Sequence, residues 1–220
     1  MIKAKHNKFA EFIFYLYLEK LLRKNFSHFF MVNAFPLVDK NAGLVITPNH
    51  FSWWDGFFIG HLERKYLHRK FFIMMLENQL KRYWFFQKVG AYSIQLDNPK
   101  SIIETARYTS EIITNENVVV IYPQGKIEPF STKNLNLKKV LNLFTKNVKE
   151  KFYVLPVGFK IQFYEEKHPS VIARIGNLID GKELINNFTI FENEFTMNLE
   201  LLEQASNEKK FITDIFGEQK

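Results

Sequence analysis

Residues 44–55 read LVITPNHFSWWD and decide the fold. Residues 44–47 form an apolar run that leads into a Pro-Asn pair, which is the pattern of a buried strand followed by a turn. His50 follows at once, and Asp55 comes five residues later. Because ligands of an α/β sheet usually bind beyond the carboxyl ends of its strands, the stretch predicts a central strand with a functional site directly after it.

His50 and Asp55 are a candidate acid–base pair. An aspartate about one helical turn after a histidine can fold back to accept the Nδ1–H hydrogen bond, which leaves Nε2 free as a base. The same spacing also suits a plain hydrogen bond at the start of a helix. Asn49 and Ser52 beside the pair, and a second turn with proline and glycine further along the chain, favour the catalytic interpretation.

The segment formed by Asn49, His50, Ser52 and Asp55 resembles the His-x4-Asp motif of the glycerolipid acyltransferases, the family of 1-acylglycerol-3-phosphate acyltransferases. In that family the histidine deprotonates an acceptor hydroxyl, which attacks an acyl thioester, and the aspartate orients the histidine. The resemblance implies that His50 and Asp55 are catalytic and that backbone N–H groups after His50, with Ser52, hold the oxyanion. It implies no metal and no cofactor, with acyl-CoA or acyl-carrier protein as co-substrate.

A second apolar run, residues 118–122, ends at Pro123-Gln124-Gly125-Lys126. This turn resembles the third block of the same family, which usually reads Pro-Glu-Gly-Thr-Arg. Gln124 stands in place of the acid, and Lys126 in place of the threonine. The resemblance implies that the substrates are bound by Asn49, Ser52, Gly90, Pro123, Gln124, Gly125 and Lys126.

Residues 89–94 resemble the second block of the family, which usually ends in an arginine that binds the phosphate of the acceptor. Leu96 stands at that position here, and Ile127 stands where the third block carries its arginine. A phosphate prefers a bidentate guanidinium, which neither position supplies. We therefore expect the acceptor to be a different lipid alcohol, such as a glycolipid or an amino-acid lipid. Residues 154–158 resemble the fourth block.

Predicted strands alternate with predicted helices along the chain, which indicates an α/β fold: a mixed, largely parallel sheet of about seven strands flanked by helices. The strands are predicted near residues 29–33, 44–47, 71–75, 91–95, 118–122, 153–158 and 170–175. The helices are predicted near residues 8–24, 57–67, 78–88, 99–114, 136–149, 182–187, 190–206 and 209–216.

The N-terminal helix predicted at residues 8–24 is apolar nearly all round, which favours either burial or a membrane interface. Residues 1–24 carry six basic and two acidic side chains, which suits an anionic surface. The resemblance to the acyltransferases, which typically carry N-terminal helices that enter one leaflet, implies that residues 1–28 form an amphipathic, membrane-interfacial segment and residues 29–220 the acyltransferase domain. The sequence contains no stretch of 18 uncharged residues, so we do not expect an ordinary transmembrane helix. The expected location is the cytoplasmic face of a membrane, peripheral or monotopic.

The composition narrows the function classes. The chain has 220 residues, 24 of them phenylalanine, and so many aromatics exclude a disordered chain. It has no cysteine, which excludes a disulfide framework and a thiolate zinc site. Its net charge of +7 suits a lipid surface or an acidic acyl carrier protein as partner. Three alternatives stay open: a hydrolase, a non-catalytic membrane-surface protein that keeps the acyltransferase fold, and a nucleic-acid binder, which no nucleic-acid motif supports.

Overall fold

A computed structural model describes residues 1–133 and 135–217. Its sheet has nine strands within that part of the chain, in the order β4-β3-β5-β2-β6-β7-β1-β9, with β8 paired to β6. The strands are β1 (Phe29–Met31), β2 (Gly43–Pro48), β3 (Lys70–Leu76), β4 (Ala91–Ile94), β5 (Asn117–Val120), β6 (Phe152–Gln162), β7 (Ser170–Ile175), β8 (Ile179–Asp180) and β9 (Thr213–Asp214). All seven predicted strands are present; β8 and β9 are additional.

The helices are α1 (Lys8–Asn25), α2 (Asp55–Leu62), α3 (Glu77–Arg82), α4 (Pro99–Ile112), α5 (Val140–Thr145), α6 (Gly181–Asn186) and α7 (Phe188–Glu208). A π-helical turn at Glu63–Leu67 continues α2, and a 3₁₀ helix at Trp84–Val89 follows α3. The predicted α/β class, a mixed and largely parallel sheet with helices on both faces, is confirmed.

The strand β2 is central, and all six of its residues are buried. It runs parallel to β5 on one side and to β6 on the other, with Ile46 beside Val120 and Leu155. The strands β3 and β4 continue the parallel set beyond β5. The carboxyl ends of β4, β3, β5 and β2 therefore meet at one edge of the sheet, which we call the carboxyl edge.

Two hydrophobic layers sandwich the sheet, because alternate residues of a strand point to opposite faces. Leu44 and Ile46 of β2 face a layer that includes Leu18 and Leu22 of α1 and residues of α2. Val45 faces the other layer, which contains residues of α4, α5 and α7. The helix α1 thus packs into the same core as the sheet.

The outer face of α1 remains open to solvent. Asn7 caps the helix by accepting a hydrogen bond from the N–H of Ala10. Five large apolar side chains of the helix are exposed: Phe9, Phe12, Ile13, Leu16 and Tyr17. In the described part of the chain, no helix combines the length and the apolar character that a membrane crossing requires.

Two predicted helices differ from the structure. The helix expected at residues 136–149 is limited to α5, Val140–Thr145. The helix expected at residues 209–216 is absent, because Lys209 takes a left-handed conformation that ends α7. The following segment pairs with β1 as β9, and Asp214 accepts hydrogen bonds from the N–H groups of Phe29 and Phe216. Tertiary pairing therefore overrides the local helical pattern there.

Candidate active site

His50 and Asp55 meet at the carboxyl edge. The strand β2 ends at Pro48, and α2 begins at Asp55, so the intervening loop folds the aspartate back onto the imidazole. His50 Nδ1 lies 2.9 Å from Asp55 Oδ2. The Asp55 side chain is fully buried, while 22% of the His50 side chain is exposed. The carboxylate therefore fixes one edge of an imidazole that solvent and substrate can reach.

Four donors surround the Asp55 carboxylate. Its Oδ2 accepts from His50 Nδ1 and from the backbone N–H groups of Phe51 and Ser52, at 2.9, 2.9 and 3.0 Å. Its Oδ1 accepts from the Ser52 hydroxyl at 2.7 Å. These four hydrogen bonds hold the carboxylate in place. The expected oxyanion role of these N–H groups and of Ser52 is not supported, because Asp55 already uses them.

Asn49 braces the loop that carries His50. Its Oδ1 accepts from the N–H of Phe159 at 2.7 Å, and its Nδ2 donates to the carbonyl of Phe159 at 2.9 Å. Both polar ends of this buried amide are therefore engaged by β6. Asn49 and Ser52 make hydrogen bonds that position the His50–Asp55 pair, and their expected contact with substrate remains a prediction.

Gln124 ties the turn after β5 to the same loop. Its Oε1 accepts from the backbone N–H of His50 at 2.6 Å, and its Nε2 donates to Glu128 Oε2 at 3.3 Å. The N–H of Glu128 donates to the carbonyl of His50 at 2.9 Å. The backbone of His50 is thus held on both its N–H and C=O sides by one turn of the chain.

Lys126 and Glu128 form an ion pair beside this turn. Lys126 Nζ lies 3.1 Å from Glu128 Oε1. The hydrogen bond from Lys126, followed by that from Gln124, lowers the pKa of Glu128 below its usual value. Gly125 adopts a φ of +72°, a left-handed conformation that favours glycine, and this conformation lets the chain turn directly after Pro123. Sequence reasoning missed Glu128, which lies beyond the four residues that resemble the third block.

Tyr122 is a second residue that sequence reasoning left without a role in the site. Its ring stacks on the His50 imidazole, with ring centroids 4.1 Å apart and planes 24° apart. Burial, and then the nearby Asp55 charge, raise the pKa of Tyr122 well above its usual value. The parallel strands β2 and β5 pair Ile46 with Val120, so the segments that follow them, with His50 and Tyr122, leave the sheet side by side. The sequence signal is that each of the two residues follows an apolar strand.

Gly90 is the one predicted site residue that the structure places elsewhere. It precedes Ala91, the first residue of β4, and therefore lies at the amino ends of the parallel strands. Its φ is +104°, and a Cβ there would lie 1.9 Å from the carbonyl oxygen of Phe71. Close backbone packing explains this glycine.

Within residues 1–133 and 135–217, no group of three or more His, Cys, Asp or Glu is arranged to hold a metal ion.

Comparisons with known proteins point to one family. A family model described as Acyltransferase matches residues 28–160, which is more than half of the chain and includes the whole site. No curated protein matches the chain. The crystal structure of the 1-acyl-sn-glycerophosphate (LPA) acyltransferase PlsC from Thermotoga maritima is similar, with a TM-score of 0.63 and 15% identity. The match covers 90% of this chain and 79% of that chain. At that identity the likeness shows a shared fold.

Proposed function

We propose, from the premise that this chain belongs to the acyltransferase family, that it moves a fatty acyl group from an acyl thioester to a hydroxyl of a lysophospholipid-like or other lipid acceptor. The observation that carries the proposal is the His50–Asp55 pair at the carboxyl edge, with the carboxylate buried and its oxygens held by four donors. Such a pair has the geometry of a base and its orienting group.

In the proposed mechanism His50 Nε2 takes the proton of the acceptor hydroxyl. The hydroxyl oxygen attacks the thioester carbonyl carbon, and the tetrahedral intermediate collapses with cleavage of the C–S bond. His50 then returns the proton to the leaving sulfur, which departs as a thiol. Asp55 holds the Nδ1–H tautomer and balances the charge of the imidazolium. General-base assistance of this kind contributes roughly 10²–10⁴-fold to the rate.

The acceptor is a lipid alcohol without a phosphate beside the reacting hydroxyl, such as a glycolipid or an amino-acid lipid. Leu96 and Ile127, which stand where the resembled family carries arginines, are both exposed apolar side chains. The nearby cation Lys126 is already paired with Glu128. Neither position supplies the guanidinium that a phosphate monoester prefers.

The enzyme works at a membrane surface, on its cytoplasmic face. The five exposed apolar side chains of α1, together with exposed Trp53, Tyr83 and Trp84, form what we call the apolar platform. Aromatic contacts connect its parts. Phe14 of α1 contacts Phe57, which contacts Trp53. Phe14 also contacts Phe85, which contacts Trp84. Lys20 and Lys24 follow on α1 and suit anionic headgroups. Trp53 lies between His50 and Asp55 in sequence, so the platform reaches the catalytic loop.

The test is acyl transfer from labelled acyl-CoA or acyl-carrier protein to a total membrane-lipid extract, with lysophosphatidate assayed separately. Mass spectrometry identifies the products of the wild type and of His50→Ala. A new acylated lipid made only by the wild type supports the function and names the acceptor. Efficient acylation of lysophosphatidate with no phosphate-free product would overturn the acceptor assignment. Release of free fatty acid without any acceptor would show a hydrolase.

A further inference from the structure

We infer that Tyr122 is a positioning residue for His50: its ring face fixes the tilt of the imidazole and stabilises the positive charge that the imidazole carries after it takes a proton. This inference rests on the proposed role of His50 as the base. The two ring centroids lie 4.1 Å apart with an interplanar angle of 24°. Stacked aromatic pairs usually have centroids about 4.5–7 Å apart, so this contact is a close one.

The hydrogen bond to Asp55 leaves a degree of freedom that Tyr122 removes. A single bond at Nδ1, 2.9 Å long, fixes one edge of the imidazole but permits the ring to tilt about that bond. A flat ring lying parallel to the imidazole blocks the tilt on that face. Nε2 then points in one direction, which proton transfer from a bound hydroxyl requires.

Tyr122 is itself held firmly. The register that pairs Ile46 with Val120 continues past the strand ends, where the N–H of Ile121 donates to the carbonyl of Ile46 at 3.0 Å. The phenol oxygen reaches the first turn of α2, since a Cβ on Gly56 would lie 3.6 Å from it. Because burial keeps this phenol protonated, Tyr122 does not compete with His50 for the proton.

The stack acts mainly in the transition state. An aromatic face attracts a cation, and in the proposed mechanism the His50 imidazole becomes a cation when it takes the proton of the acceptor. An interaction that strengthens in the transition state raises kcat and leaves the KM of the substrates unchanged. The predicted signature is therefore a kcat effect without a KM effect.

Two substitutions separate the ring from the hydroxyl. Tyr122→Phe keeps the ring, and we expect its kcat to stay within about twofold of the wild type. Tyr122→Leu removes the ring, and we expect kcat to fall about 10-fold, equivalent to about 1.4 kcal/mol, with unchanged KM for the acyl donor. Tyr92→Leu is the matched control, because Tyr92 is a buried tyrosine that packs in the opposite layer against Tyr108. We expect it to lower stability while the kcat of the folded protein is retained.

Nitrogen-15 NMR of the His50 imidazole supplies a readout that does not depend on turnover. We expect the Nδ1–H tautomer in all three proteins, because Asp55 holds it. We expect a sharp Nε2 signal at one position in the wild type and in Tyr122→Phe, and a shifted and broadened Nε2 signal in Tyr122→Leu, whose imidazole is free to tilt. Tyr122→Met replaces the leucine variant if that variant does not fold. Wild-type kcat and spectrum in the leucine or methionine variant would overturn the inference, as would an equal loss of kcat in Tyr122→Phe. Full activity of His50→Ala would instead refute the proposed role of His50 as the base. The two failures are distinguishable, because the NMR comparison reports whether Tyr122 orients the imidazole even if His50 is not the base.

Discussion

At the residue scale, Gln124 occupies the position where the resembled family usually carries glutamate. Its amide can donate to the neighbouring Glu128 carboxylate, which a glutamate at position 124 would repel. One end of the amide accepts from the His50 N–H, and the other donates to Glu128. A carboxylate at position 124 could still accept from His50. Its second oxygen, however, would face Glu128 Oε2 at about the present 3.3 Å.

Gln124→Glu is therefore expected to lower the free energy of unfolding by about 1 kcal/mol and to reduce kcat, since it loosens the turn that holds His50. Chemical denaturation and steady-state kinetics measure the two effects. Adding Glu128→Gln to this variant restores a donor opposite the new carboxylate, so the double variant should recover most of both losses. A double variant no better than Gln124→Glu would show that the two side chains are not coupled.

The residue types at the site were more predictable than their roles. His50 and Asp55 follow from one local pattern, and the structure brings their side chains together. The partner of Asn49 is the backbone of Phe159, 110 positions away, and the partner of Gln124 is the His50 N–H, 74 positions away. No local pattern indicates such partners, so the sequence does not predict that these side chains brace the loop. Their contact with substrate remains a prediction.

At the element scale, the π-helical turn buries a carboxylate. Glu63 accepts from the Arg69 N–H at 2.7 Å and from the Tyr15 hydroxyl at 3.3 Å, which joins the turn to α1. Loss of solvation is the largest influence and raises the pKa of Glu63 to about 7. The folded state therefore binds this proton more tightly than the unfolded state, in which the pKa has its usual value of about 4.3.

Stability should accordingly fall as the pH rises from about 4.3 to 7, by up to about 4 kcal/mol from this group. Glu63→Gln keeps the shape and hydrogen-bonding capacity without the charge, so it should be more stable than the wild type at pH 8 and nearly equal at pH 4. Urea denaturation across this pH range measures the difference. Exposed Glu166→Gln controls for the change in net charge. A Glu63→Gln curve parallel to the wild type would contradict the assignment.

The helix α1 leads to a prediction about the membrane. Phe12 and Leu16 are one turn apart on its exposed face, and burying each in lipid is worth about 1.5–3 kcal/mol. Either substitution to serine should weaken binding to anionic vesicles by about 10-fold or more, as measured by sedimentation. Ile103→Ser is the matched control, because Ile103 is an exposed residue of α4, in the layer opposite α1. Equal loss in the control would contradict an oriented membrane contact.

Element boundaries show where local patterns suffice. The apolar runs gave the buried parallel strands, because a strand covered on both faces is apolar throughout. Residues 209–216 also carry a helical pattern, yet β1 offers an unpaired edge. Asp214 pairs with β1 and accepts a hydrogen bond from the N–H of Phe29. The choice between helix and strand there depends on a partner, Phe29, that lies 185 residues from Asp214 in sequence. The boundary predicted between residues 28 and 29 remains a prediction.

At the scale of the whole molecule, the parallel strands explain why the residues of the candidate site gather at one edge of the sheet. The strands β2 and β5 are neighbours, so the loops that follow them meet, and His50 comes to lie against Tyr122 and Gln124. Sequence order alone predicts that both loops lie at the same edge. It does not predict the position of Gly90, which precedes β4 and therefore lies at the amino ends of the parallel strands, opposite the candidate site.

The central claim is that His50 is the base in acyl transfer. Its most direct test is the single-turnover rate of acyl transfer by the wild type and by His50→Ala, with the acceptor lipid identified from the extract. We predict a rate at least about 100-fold lower in His50→Ala. We also predict nearly unchanged thermal stability, because Phe51 and Ser52 still donate to Asp55. Transfer by folded His50→Ala at the wild-type rate would contradict the account.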